Sequence, residues 1–315
     1  MTDLPSFLQI DLPAILAAVL ACFSCALVGN YLVLRRLSLL GDAISHAILP
    51  GLVIAFLVSG ERSGVPILVG AVGAALVASL LIETIGRLGR LDASAAMGVV
   101  FSVLFAAGIV LLEQTRARTV HINAEAVLYG QLEDILWLAP TSWASLADSK
   151  VWTDLPREVI TLAGVAVGCV ILVLCFYKEL KITTFDPALA STLGIPARGF
   201  HYGLVLVVAI VAVAAFEAVG SILVVAMLVC PAATARLLTD RLVCQLWLST
   251  AMGILAGVGG YVLAAFGPFW FGGTDSLSAA GMMATVAGTF LLLAIVFAPR
   301  YGVLRRKLGR MDLPP

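Results

Sequence analysis

The chain is predicted to be an all-α, polytopic transmembrane helix bundle of about nine spans, and three observations predict it. Hydrophobic residues make up 61% of its 315 residues and charged residues 12%, with a mean hydropathy of +1.08. A soluble domain carries about 25% charged and 45–50% apolar residues, so the charges here are too few to cover a water-facing surface. Apolar runs recur at the length of about 20 residues that a helix needs to cross a bilayer. The basic residues are also divided unevenly between the loops that join those runs. The 19 basic and 19 acidic side chains cancel, and no Lys/Arg block with interleaved aromatics draws the chain toward nucleic acid. All six cysteines fall inside apolar runs, which argues against a disulfide framework. The first eleven residues lack the basic segment of a signal peptide. With no long linker or low-complexity tract, residues 1–315 read as a single transmembrane domain.

Taken in order, the runs lie near residues 14–34, 41–58, 66–86, 93–112, 158–177, 242–265 and 278–298. The stretch 200–238 is nearly twice too long for one crossing and has Glu217 at its centre, followed by Gly220. It is read as two crossings, 200–216 and 219–237. With the N-terminus outside and the C-terminus in the cytoplasm, the inner loops collect Arg35, Arg36, Arg87, Arg90, Lys178, Lys181, Arg198, Arg236 and Arg241. The tail adds Arg300, Arg305, Arg306, Lys307 and Arg310, leaving Arg62, Arg116, Arg118, Lys150 and Arg157 outside. That is the positive-inside bias. One long helix over 200–238 would put the basic tail opposite Arg35 and Arg36, whereas a re-entrant hairpin would leave the sides unchanged. Trp137, Trp143, Trp152 and Trp270 fall in outer loops, as an interfacial aromatic belt requires. The long outer segment 113–157, with Pro140 and Pro156, is expected to lie on the membrane surface. Gly253/Gly257 and Gly70/Gly73/Ala74 have the spacing for close helix packing.

An ionisable side chain at mid-bilayer costs roughly 2.5–3.5 kcal/mol or more, so such residues are the first functional candidates. Asp42 and His46 are four apart at the start of the second span and share a helix face. Carboxylate oxygen and imidazole nitrogen at that spacing can grip one divalent transition metal. His46 lies ten residues beyond Arg36, roughly 15 Å along a helix and about mid-membrane. Pro50 and Gly51 follow and could kink the helix. From spacing alone two readings stay open, a metal pair completed by another helix or a second copy, and an Asp–His pair that satisfies itself. Glu217, at an outer turn, reads as an entrance ligand, a gate or a solvated carboxylate. Cys22 and Cys25 form a C-x-x-C without a second pair and read as packing. His121 and Glu125 share an outer loop, where metal capture competes with plain solvation.

On the inner side Asp186 to Pro196 read as a complete miniature helix. Asp186 suits the N-cap, Pro187 the first turn and Gly194 the C′ position, with Pro196 as the stop. Its middle is expected to expose small side chains, Ala188, Ala190, Ser191 and Thr192, with Leu189 and Leu193 as apolar anchors for a soluble partner. No G-x-x-x-x-G-K-[ST] phosphate loop occurs, so any nucleotide must be bound by a separate subunit.

Four ordered blocks carry a family resemblance. They are Leu34 to Gly51 (LRRLSLLGDAISHAILPG), Phe176 to Ala190 (FYKELKITTFDPALA), Phe216 to Ala235 (FEAVGSILVVAMLVCPAATA), and Met283 to Gly288 (MATVAG) with Ala298 to Gly302 (APRYG). The chain resembles, over about residues 14–308, the ABC-transporter permeases for manganese, zinc and iron, and Glu217 makes it most similar to the manganese/iron branch. The resemblance implies a multi-pass protein of the bacterial plasma (inner) membrane working with a second permease copy, identical or homologous. A cytoplasmic ABC ATPase dimer and an extracytoplasmic metal-binding protein would complete the importer. It implies Asp42 and His46 as metal ligands, with Glu217 a weaker third. The segment Asp186, Pro187, Leu189, Leu193 and Gly194 becomes the coupling helix for the ATPase. Such a chain is not an enzyme and binds no resident cofactor; manganese, iron or zinc is its cargo. Relatives often carry an acidic residue where Asn123 stands, which counts against metal binding by that outer loop. The rival readings are a permease for a metal chelate, an ion-gradient-driven metal transporter, and an intramembrane metalloenzyme. The first should need no mid-membrane Asp/His pair, the second no coupling helix, and the third a further His-bearing motif within a span.

Overall fold

The computed structural model describes residues 7–37, 39–60, 65–114, 132–140, 142–143, 145, 149–270, 277–299 and 301–303. In hydrocarbon every backbone polar group must be satisfied within the segment, which favours helix throughout. A π-helical turn, Phe7–Asp11, leads into α1 (Leu12–Leu34), followed by α2 (Leu40–Ser59), α3 (Val65–Gly89) and α4 (Ala93–Gln114). After a one-turn helix at Ser149–Thr153 come α5 (Arg157–Cys175), α6 (Tyr177–Phe185) and α7 (Pro187–Thr192). The chain closes with α8 (Ala197–Val219), α9 (Ser221–Leu238), α10 (Leu242–Trp270) and α11 (Ala279–Phe297). Among the described residues nine helices, all of these but α6 and α7, are long and apolar enough to cross a membrane.

The stretch 200–238 is two full helices, α8 and α9, of 23 and 18 residues. Gly220 separates them at φ 78°, a left-handed conformation that a residue with a Cβ enters only at a cost. Two helices, each long and apolar enough to cross a membrane, rather than one long helix, therefore occupy this stretch.

Helix α1 stands at the centre, packed by α5, α8, α9 and α10, while α2 packs against α3 and α4, and α11 covers α9 and α10. Lipid supplies no hydrophobic force between apolar helices, so close backbone approach has to hold them. The sequence provides it at specific crossings. A Cβ at Gly29 would fall on the Leu228 carbonyl of α9, and one at Gly51 on the Gly70 carbonyl of α3. Gly51 thus serves α2–α3 packing, and α2 runs unbroken past Pro50. A Cβ at Gly257 would stand 3.2 Å from Cys22 Sγ. The buried Cys22 and Cys25 are unbridged, and Cys22 packs on the small-residue face of α10.

The bundle has two distinct ends. One carries Trp137, whose backbone N–H donates to the Gln9 carbonyl at 2.9 Å, while Gln9 Nε2 donates to the Pro140 carbonyl at 3.2 Å. Trp137 is buried and lies 5.7 Å from the half-exposed Trp152 ring. The described part of the 113–157 segment is anchored to this end of the bundle, and Trp137 is buried in protein rather than placed in an exposed belt. Trp270 is the last residue of α10, not a loop residue. The other end carries α6, α7 and the α1–α2 turn.

Candidate functional site

Asp42 sits in the first turn of α2 and His46 one turn further. The His46 Nε2 to Asp42 Oδ1 distance is 3.5 Å, so the two side chains share a face without closing a tight hydrogen bond. Both remain partly exposed, Asp42 by 46% and His46 by 28% of the side chain. The imidazole is held from α4, with the Phe101 ring centroid at 4.8 Å and the Phe105 ring edge-on at 5.3 Å. These phenyl rings fix the ring plane and leave one face of the pair open. Two donors do not fill a transition-metal shell of four or more ligands. Among the described residues no group of three or more His, Cys, Asp or Glu side chains converges.

The pair lies shallower than expected. Helix α1 ends at Leu34 and α2 begins only at Leu40, so His46 is only six residues into α2. That is about 9 Å along a helix about 30 Å long. Glu217 is exposed near the far end of α8, beside the Gly220 break, and the structure does not bring it to Asp42 and His46. His121, Asn123 and Glu125 lie outside the described residues.

Local chemistry accounts for α7. Asp186 caps it, Oδ1 accepting from the Leu189 backbone N–H at 2.9 Å, and Pro187 opens it. At the other end Ile195 N–H donates to the Ala190 carbonyl at 2.9 Å and Gly194 N–H to the Ser191 carbonyl at 3.2 Å, with Gly194 at φ 76°. This is the paired closure that satisfies the last carbonyls of a helix. Leu189 and Leu193 are exposed, as are Ala188, Ser191 and Thr192. Ala190 departs from expectation: it is fully buried, because the two-turn helix turns that side inward.

A second set of polar residues joins α7 to the rest, and sequence reading missed it. Arg35, just beyond α1, donates from Nε to Thr184 Oγ1 at 3.1 Å and from Nη2 to Thr183 Oγ1 at 3.0 Å. Those threonines close α6, so the turn that precedes Asp42 is tied to the segment that carries α7. Burial pushes the Arg35 guanidinium below the usual arginine range, and the nearby Tyr31 opposes that shift. Beside it, Tyr202 of α8 donates to the Glu83 carboxylate of α3, which also pairs with Arg87. Deeper, Asn30 Nδ2 donates to Ser249 Oγ at 2.5 Å, joining α1 to α10. Asn30 and Gln245 are polar residues inside apolar runs, a signal that could have flagged this contact.

The family model described as "ABC 3 transport family" matches residues 8–139 and 151–298. The chain belongs to the ABC 3 transport family. This ABC 3 transport protein is 39% identical over 300 residues to the manganese transport system membrane protein MntD of Bacillus subtilis, covering 95% of this chain and 96% of that one. It is also 39% identical over 294 residues to the zinc transport system membrane protein TroD of Treponema pallidum, covering 93% of this chain and 76% of that one. Among solved structures, PsaBC from Streptococcus pneumoniae in complex with Fab matches at a TM-score of 0.73 and 29% identity, over 94% of both chains. The chain is therefore a multi-pass membrane component of an ABC transport system.

Proposed function

We propose that the chain is the permease subunit of an ABC importer for a divalent transition metal, with manganese as first cargo, and that Asp42 and His46 hold that metal in transit. The observation that carries this reading is the open Asp42–His46 pair against Phe101 and Phe105. It occurs in a chain 39% identical over 95% of its length to a manganese transport protein. Two donors on an exposed face call for a second copy of the chain, or a homologue, to complete the shell. An extracytoplasmic binding protein would deliver metal, and a separate ATPase dimer would act on α7 through Leu189 and Leu193. On this reading ATP hydrolysis belongs to that dimer, and the chain catalyses no covalent step. The N-terminus lies outside and the end with α7 faces the cytoplasm, with Glu217 at the outer mouth tuning entry.

Zinc is the second reading, favoured by the equal identity to TroD. Uptake of radiolabelled manganese and zinc into cells carrying the whole transporter tests both. Asp42→Ala and His46→Ala should each abolish uptake while membrane levels hold. Wild-type uptake by both single variants would remove the site; zinc uptake that manganese does not compete would change the cargo. Orientation has its own test: Glu217→Cys, in a background cleared of native cysteines, should react with an impermeant thiol reagent added outside. Labelling only from inside would invert the scheme.

A further inference from the structure

At the end of the bundle that carries α7, the α1–α2 turn, α3, α6 and α8 enclose a cavity of about 640 Å³. Four guanidinium groups line it, those of Arg35, Arg36, Arg87 and Arg198, against the single carboxylate of Glu83. The Glu83 charge is already spent on Arg87 and Tyr202. Arg35 is fixed by Thr183 and Thr184, which aims its remaining N–H groups. Arg36 and Arg198 are exposed and, among the described residues, have no ion-pair partner. So dense a positive charge repels a divalent cation, and the cavity is no station for the metal.

We propose that this cavity binds the phosphate headgroup of an acidic phospholipid. Phosphate oxygens match the planar donor fork of arginine, and basic pockets between transmembrane helices are suited to anionic headgroups. The rim points to lipid rather than to a dissolved anion. Leu34, Leu37 and Leu40 line it together with Leu91, which is 45% exposed. Apolar side chains at the mouth of a basic cavity suit a molecule with acyl chains below its phosphate. The leaflet follows from the orientation proposed above; the binding does not, and an inverted bundle would move the site to the other leaflet without abolishing it.

The test titrates the full-length chain, purified in uncharged detergent, with dioctanoyl phosphatidylglycerol, dioctanoyl phosphatidylcholine or inorganic phosphate. Phosphatidylglycerol should bind about tenfold tighter than phosphatidylcholine, and the Arg36→Gln/Arg198→Gln double variant should erase that margin. Arg36→Lys/Arg198→Lys should keep most of it. Arg241→Gln, which removes an exposed charge at the same end but outside the cavity, should keep all of it. Should the double variant lose monodispersity, Arg36→Gln alone replaces it. Equal binding of the two lipids, or equal loss in Arg241→Gln, would overturn the proposal. Inorganic phosphate binding as tightly as phosphatidylglycerol would assign the cavity to a soluble anion instead. That result refutes the lipid site.

Discussion

Helices α1 and α2 follow each other in the chain and are built alike, yet they do opposite things with their polar residues. The most apolar window of α1 is 67% buried and that of α2 only 47%. On α1 the polar side chains are buried inside the bundle: Asn30 Nδ2 reaches Ser249 and the Ala26 carbonyl, and Ser24 donates to the Leu20 carbonyl at 2.8 Å. Asn30 Oδ1 and the Tyr31 hydroxyl are enclosed without a hydrogen-bond partner among the described residues. On α2 the Asp42 and His46 side chains stop 3.5 Å apart and stay partly exposed, with only the α4 phenyl rings against the imidazole. A bundle needs one helix that is finished to position another that is not. The unfinished polar face is where a ligand or a second copy contributes the missing atoms.

The sharpest way to break this contrast is to damage α1 alone. Gly29→Leu drives a side chain into the α9 backbone at Leu228. Overpacking costs about 1–3 kcal/mol where neighbours can yield, and backbone yields less than a side chain. The variant should vanish from the membrane, with transport lost because the protein is lost. Immunoblots of membranes at wild-type level would show that α1 is not the fixed pillar. Asp42→Ala and His46→Ala are the counterpart on α2, removing transport at unchanged membrane level.

A smaller effect belongs to the link between the two helices and α7. Leu189→Glu or Leu193→Glu places a charge on the exposed apolar side of α7 without touching the Asp186 cap or the Gly194 closure. ATPase activity in reconstituted vesicles should persist while coupled uptake falls. Normal coupled uptake, with the ATPase retained on purification, would put the drive elsewhere. The smallest effect should come from Asn30→Ala and Ser249→Ala. Interhelical hydrogen bonds in membranes average about 0.6 kcal/mol and reach about 1.7 kcal/mol. A double-mutant cycle on unfolding should return a coupling in that range; zero coupling would reduce the Asn30–Ser249 contact to coincidence.

Backbone chemistry made much of this legible in the sequence. Lipid forces internal hydrogen bonding, so run length alone locates the crossings, and the expected spans agree with the helices to within about five residues at each end. The ends of α7 were equally legible, because Asp186, Pro187 and Gly194 act on their own backbone neighbours. The i, i+4 spacing likewise put Asp42 and His46 on one face. Facing was another matter. Lipid tails and neighbouring side chains are equally apolar, so a helix hydrophobic all round carries no pattern that says which side meets protein. Tertiary structure alone therefore decided that Gly29 meets Leu228, that Ala190 turns inward, that Trp137 is buried, and that Phe101 and Phe105 flank His46. Arg35 reaching Thr183 and Thr184 across about 150 residues of chain belongs with them. Such contacts depend on how whole helices cross, and crossing is set by the shapes that interlock rather than by the hydropathy that inserts them.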